Sequence, residues 1–245
     1  MRMSEESERQ ALVDKFEFFA AILLGAAAIC TALSSFQAGL WDGIQADNYG
    51  KANTEATQAA SEQARAVVLM SKDAQVDITA WRLIYEGNDA TNPVDKERSF
   101  EIATYLYTKQ MSDAGYKALG LPAEARKEVV DDPDTPAEEK QEALKEEILE
   151  KALETELADS EDYRKEMLAA STALSDQSAK TFKAGQAANE TGDKFELTNV
   201  IFAVSLFFMG IALVFKTAIK WYVLYAGGFL TVAGLIYMLT LSWTF

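Results

Sequence analysis

The sequence predicts an all-α membrane protein: three transmembrane helices with a long antiparallel helical stalk, a coiled coil, as its extramembrane domain. Three observations predict it. Residues 18–41, 197–215 and 221–245 carry no Asp, Glu, Lys or Arg, and about 20 apolar residues suffice to cross a bilayer core of about 30 Å. Nearly all the charge of the 245-residue chain, net -15, falls outside those runs, so a mean hydropathy of -0.08 averages two populations. The polar middle repeats small and apolar residues at alternating steps of three and four, the pattern of a helical seam.

The expected order is an N-terminal segment 1–17, a first span 18–41, an acidic helical domain 42–196, a second span 197–215 and a third span 221–243. The first run is too long for a signal-peptide core and has Asp14, Lys15 and Glu17 just before it, which favours a retained span. Phe16, Phe18, Phe19 and Trp41 sit where interfacial anchors belong. Ala21, Gly25 and Ala28 lend this helix a small-residue face suited to close helix approach.

Beyond Trp41 the seam reads Ala46, Tyr49, Asn53, Ala56, Ala60, Gln63, Val67, Met70, Ala74, Asp77, Trp81 and Ile84. An unbroken helix over 42–86 would be roughly 65 Å long at about 1.5 Å per residue, with Gly43 and Gly50 as places to bend. The composition of 86–93 is that of a turn, and a helix follows over 94–119 with Phe100, Ala103, Tyr107, Met111 and Ala114 as its apolar stripe. Three prolines and an acidic cluster make 120–136 a loop. A charged helix over 137–158 carries the narrow stripe Leu144, Ile148, Ala152 and Leu157. The last stalk starts near Ser160 with the seam Tyr163, Met167, Ala170, Leu174, Gln177, Thr181, Ala184 and Ala188. The two stalks are expected to pack against each other, antiparallel. Asn189, Thr191 and Gly192 either interrupt the second or leave it bent but continuous.

The third span opens with Trp221, Tyr222 and Tyr225 and closes with Trp243 and Phe245, while Gly227, Gly228 and Gly234 offer close-packing surface within it. Asp14, Lys15, Phe16 and Glu17 recur as Asp193, Lys194, Phe195 and Glu196, each copy directly before an apolar run. Arg2, Arg9, Lys15, Lys216 and Lys220 place the N-terminus and the short basic turn on the cytoplasmic side, with the helical domain outside.

Several chemistries are disfavoured. The acidic balance argues against nucleic acid, whose phosphates need Lys and Arg. There is no histidine, which removes the commonest general base and metal ligand, and Cys30 is the single cysteine. No phosphate loop, dinucleotide fingerprint, metalloprotease helix or nucleophile elbow occurs. Asp131, Asp132, Asp134, Glu138 and Glu139 could offer oxygens to a divalent cation, but they lack the glycine and spacing of an EF-hand. No ionisable group lies within the spans, against an active transporter. Thr31, Ser34, Ser35 and Gln37 are candidates to line a passive pore, or else bond to backbone.

In its order of parts the chain resembles a family of uncharacterised bacterial membrane proteins filed as domain of unknown function 4337. The residues that carry this are Trp41, Gln45, Ala46, Tyr49, Gln58 and Ala59 of the first stalk, the entry Phe195, Glu196 and Leu197, and Lys216 with Trp221 between the last two spans. The resemblance implies a bacterial inner membrane and no established chemistry. The expectation is therefore a non-enzymatic protein without a cofactor or metal. Its partners are membrane lipid and copies of itself or the subunits of a larger membrane complex, as scaffold or accessory subunit. A passive oligomeric channel, its pore lined by the first span, is the alternative; a membrane-anchored enzyme is the more remote one.

Overall fold

A single helix, α1, runs over Arg2–Asp89 in a computed structural model that describes residues 2–127, 137–157 and 160–244. Nothing in its sequence stops it earlier. The first proline is Pro93, and Gly43 and Gly50 remain helical, their cost of about 1 kcal/mol each being absorbed by the turns around them. The helix is not interrupted at those glycines. Gly192 likewise lies inside a continuous helix, α5, over Glu161–Val214.

The remaining helices are α2 (Pro93–Tyr105), α3 (Asp113–Ala118), α4 (Ala137–Glu154) and α6 (Ile219–Thr240), and no strand occurs among the described residues. Three of the helices, α1, α5 and α6, are long and apolar enough to cross a membrane. The chain divides into two compact units, one from Met1–Asn53 with Ser178–Phe245, the other from Thr54–Gln177.

In the first unit α1 and α5 run antiparallel. Tyr49 stacks on Phe182 at 5.1 Å, Ser178 Oγ donates to the Ala52 carbonyl at 2.8 Å, and Ser34 Oγ donates to the Phe195 carbonyl at 2.8 Å. A turn over 215–218 then returns the chain as α6. One apolar cluster joins Phe16, Ala20 and Ala27 to Met209, Ala212 and Leu224; another joins Ala38, Phe195, Phe202 and Met238.

In the second unit the expected helix over 94–119 is broken. Asn92 caps α2 by accepting from the Val94 amide, and Pro93 takes the first position, where its missing N–H costs nothing. After α2 come a π-helical turn over Leu106–Gln110, an extended Met111, and α3 capped by Ser112. The break has a cause outside the helix: Ser112 is captured by a carboxylate of α1. A 3₁₀ turn, Ala123–Arg126, lies inside the region read as loop. On α4 Ile148 and Ala152 are buried and Leu144 half-buried as expected, but the helix ends at Glu154, short of the expected 158, so that Leu157 is buried just past its end.

The seams are in part out of phase with the sequence reading. On α1 the expected seam holds from Met70 on, where Asp77 and Ile84 are buried and Met70, Ala74 and Trp81 half-buried. Nearer the N-terminus Ala46, Asn53, Ala56, Ala60, Gln63 and Val67 are exposed, and the buried positions are Ala52, Ala59 and Ala66, which continue by sevens to Asp73. On α5, Tyr163 and Ala188 are buried and Met167, Leu174 and Thr181 half-buried as expected. Ala170, Gln177 and Ala184 give way to Ser171, Ser178 and Gly185. Gly185 explains part of this: a Cβ there would stand 2.6 Å from the Tyr49 ring. The smallest residues, not the most apolar ones, mark the line of closest approach.

Candidate functional site

The apolar unit sorts its small residues into two groups. Gly227 and Gly234 of α6 face α5: an added Cβ would meet Met209 Cγ at 2.6 Å in one case and Phe202 at 2.9 Å in the other. Gly228 has ordinary contact room beside Leu23 of α1. These three close the three-helix packing. Ala21, Gly25 and Ala28 do not. They are exposed, as are Ala32, Ser35 and Gly39 along the same face, and neither Gly25 nor Gly39 has any neighbour within 4 Å of an added Cβ. The expected small-residue face exists and is turned away from the chain's own bundle.

The polar candidates are placed differently. Thr31 donates to the Ala27 carbonyl one turn back. Ser34 is fully buried on the Phe195 carbonyl. Gln37 is buried as well, and its amide grips the backbone of Thr244: Nε2 donates to the Thr244 carbonyl at 2.9 Å, and Oε1 accepts from the Thr244 amide at 3.0 Å. Trp41 Nε1 donates to the Ser242 carbonyl at 3.0 Å. Together they hold the segment after α6, whose backbone groups have left the helical ladder and need partners. Among these candidates only Ser35 is exposed.

A second polar pair inside this unit escaped the sequence reading. Ser205 of α5 donates to the Gly227 carbonyl at 2.6 Å, and Thr231 donates to the same carbonyl at 3.1 Å. The signal was a serine and a threonine amid uncharged runs. Such residues commonly bond across helices in apolar surroundings.

In the Thr54–Gln177 unit, two carboxylates on successive turns of α1 face inward. Asp73 has no solvent exposure. Its Oδ1 accepts from the Ser112 amide at 2.8 Å, and its Oδ2 accepts from the Tyr163 hydroxyl at 2.7 Å and from the Ser112 hydroxyl. Three donors thus satisfy the two oxygens of this buried carboxyl. Gly115 is required beside it, since a Cβ would fall 2.7 Å from Asp73 Oδ2. Asp77 accepts from the Tyr107 hydroxyl at 2.9 Å. Burial pushes its carboxyl up. The Tyr107 bond and the Leu157 amide pull it down, and nearby Glu156 adds to the rise. Burial also raises the Tyr107 hydroxyl, with Asp77 adding to it; Tyr163 is raised by burial and then by Asp73.

Arg126 completes the arrangement. It donates to the carbonyls of Tyr107, Met111 and Ser112, pairs with Asp113, and lies 4.0 Å over the Tyr116 ring. They lie where the helix breaks and backbone carbonyls lose helical donors, although the Ser112 carbonyl also accepts from the Tyr116 amide at 2.9 Å. The Tyr116 hydroxyl, donating to the Pro122 carbonyl, is pushed up to about 12, chiefly by burial. Chemically, the Asp73 site is a closed knot: its acceptors are used by side chains that fix α1, α3 and α5 against one another. The sequence signal was Asp73 and Asp77 at a four-residue spacing beside Val76 and Ala80.

Of the acidic residues considered for a cation, Asp131, Asp132 and Asp134 lie outside the described residues, as does the side chain of Glu138, and Glu139 is exposed. Among the described residues no group of three His, Cys, Asp or Glu side chains could hold a metal ion. Comparison of the chain with known proteins finds no matching family model, no similar curated protein and no similar solved structure.

Proposed function

We propose that the chain is a self-associating integral membrane protein, a scaffold or accessory subunit of a membrane assembly, whose copies meet along the Ala21, Gly25 and Ala28 face of α1. The observation that carries this reading is the outward placement of that face. Its glycines have open space where Gly227 and Gly234 have α5. In lipid there is no hydrophobic drive between helices, so close backbone approach at small residues is a main source of association.

Support for the membrane itself comes from what the apolar segments expose. In their most apolar windows 17% of α1, 28% of α5 and 28% of α6 is buried within the chain. Ile29 and Phe36 on α1, Phe207 on α5 and Phe229 on α6 stand outward. Exposed apolar side chains in such number call for lipid or protein cover. By the positive-inside rule, Lys15, Lys216 and Lys220 assign their end of the bundle to the cytoplasm. The resemblance in order of parts suggests a bacterial inner membrane.

The test is the mass of the full chain in detergent, by light scattering with the detergent subtracted. The wild type is expected above the monomer mass. Gly25→Leu is expected to return it to the monomer with its melting temperature unchanged, because the added side chain enters open space. A monomeric wild type, or a Gly25→Leu variant that associates as well as wild type, overturns the reading.

A further inference from the structure

We infer that a groove beside Asp77 binds a small organic ammonium ion carrying an apolar body. The groove has a volume of about 460 Å³ and is lined by Asp77, Ile78, Trp81, Arg82 and Tyr85 of α1 and by Glu156 just beyond α4. That volume falls within the range of small-molecule sites. It lies within the Thr54–Gln177 unit and shares no residue with the small-residue face of α1, so it stands apart from the self-association reading.

The lining selects for charge. Asp77 forms the inner end, 9% exposed, its carboxylate held by the Tyr107 hydroxyl. Glu156 stands at the rim, close enough for its charge to be felt at Asp77. Arg82 is the one cation among the described residues of the lining and is paired with Glu86 at 3.5 Å. An anion entering the groove would face two carboxylates; a cation would relieve their mutual repulsion.

The walls select for the kind of cation. Trp81 and Tyr85 lie one turn apart with ring centroids 6.1 Å apart and planes tilted by 59°. Trp81 is held in place by its Nε1 donating to the Ala152 carbonyl at 2.8 Å. Aromatic faces attract an ammonium group, whereas a hard metal ion takes about six or more oxygen ligands, more than the two carboxylates of the lining offer. Ile78, 71% exposed, gives an apolar wall for the body of the ligand.

The experiment is calorimetric titration of the full chain, in uncharged maltoside micelles, with benzyltrimethylammonium chloride, the heat of empty micelles being subtracted. Saturable binding is expected. Tyr85→Ala and Glu156→Gln are each expected to weaken it by roughly fivefold without lowering the melting temperature, since both side chains are exposed. Benzenesulfonate is expected to give no saturable heat. Absence of saturable binding, equal binding by both variants, or equal binding of benzenesulfonate overturns the proposal.

Discussion

Phe16 and Phe195 are the same residue of a repeated tetrapeptide, and each meets, edge-on, a tryptophan near one end of α6. Phe16 lies 4.9 Å from Trp221 at 81°, and Phe195 lies 5.8 Å from Trp243 at 87°. Both phenylalanines are buried, at 2% and 0% exposure. The repeat therefore supplies one aromatic latch near the start of α6 and one just past its end. Lys220 adds its ammonium over the Phe16 ring at 4.3 Å. Phe195→Ala is expected to cost about 3–5 kcal/mol, read as a fall in the unfolding midpoint in detergent. Phe16→Ala is expected to do the same from the other latch. A loss below about 1 kcal/mol at both would remove the latches from the account.

Gly227 gives the converse case to Gly25. Its neighbours include the Ser205 carbonyl at 3.0 Å from an added Cβ, which is backbone and cannot swing aside. Gly227→Val is expected to destabilise the bundle by about 1–3 kcal/mol, with parallel loss of melting temperature. A variant that melts like wild type would show that α5 and α6 approach less closely than described.

Asp73→Ala should be among the most damaging changes in the Thr54–Gln177 unit. It strips the Ser112 amide, the Ser112 hydroxyl and the Tyr163 hydroxyl of their acceptor. Each buried donor left unsatisfied costs about 1–3 kcal/mol. Hydrogen exchange is expected to show early opening of α3 and of the start of α5. Protection unchanged from wild type would argue that Asp73 is dispensable there.

Asp77 sets a pH dependence. Its folded pKa is raised above the unfolded value of 3.8, first by burial. The stability associated with it is thus full below 3.8 and is lost as pH rises through the folded pKa. Asp77→Asn keeps an acceptor for Tyr107 and removes that loss. The variant is expected to gain on the wild type in melting temperature between about pH 3 and pH 7. A constant difference across that window would exclude Asp77 as its source.

Arg126→Lys tests the helix break. One ammonium cannot reproduce a fork that serves three carbonyls and stacks on Tyr116. A loss of about 1–3 kcal/mol is expected, seen as a lower unfolding midpoint. Full rescue by lysine would show that charge alone suffices.

The long helices, their order and the turn between α5 and α6 were legible because uncharged runs and helical spacing are local signals. The phase of the Ala-rich part of the seam, before Met70, was not. Ala46, Ala52, Ala56, Ala59, Ala60 and Ala66 are chemically alike, so composition cannot say which face of α1 is buried. The answer depends on where α5 can approach, at Ser178 and Gly185. The broken helix after α2 was hidden for a similar reason. Its cause is Asp73, which stands 39 residues before Ser112 in the chain. Small residues at Gly25 and Gly227 read identically in sequence, and only the fold separates an inward face from an outward one.

The grip of Gln37 on Thr244 joins positions 207 apart in the chain. At about 5–20 residues per second, translation needs roughly 10–40 s to cover that interval. For that time the Gln37 amide must be satisfied by water or by some other transient partner. The join between α1 and the segment after α6 is a late event in biosynthesis, made only after all three apolar helices have been produced.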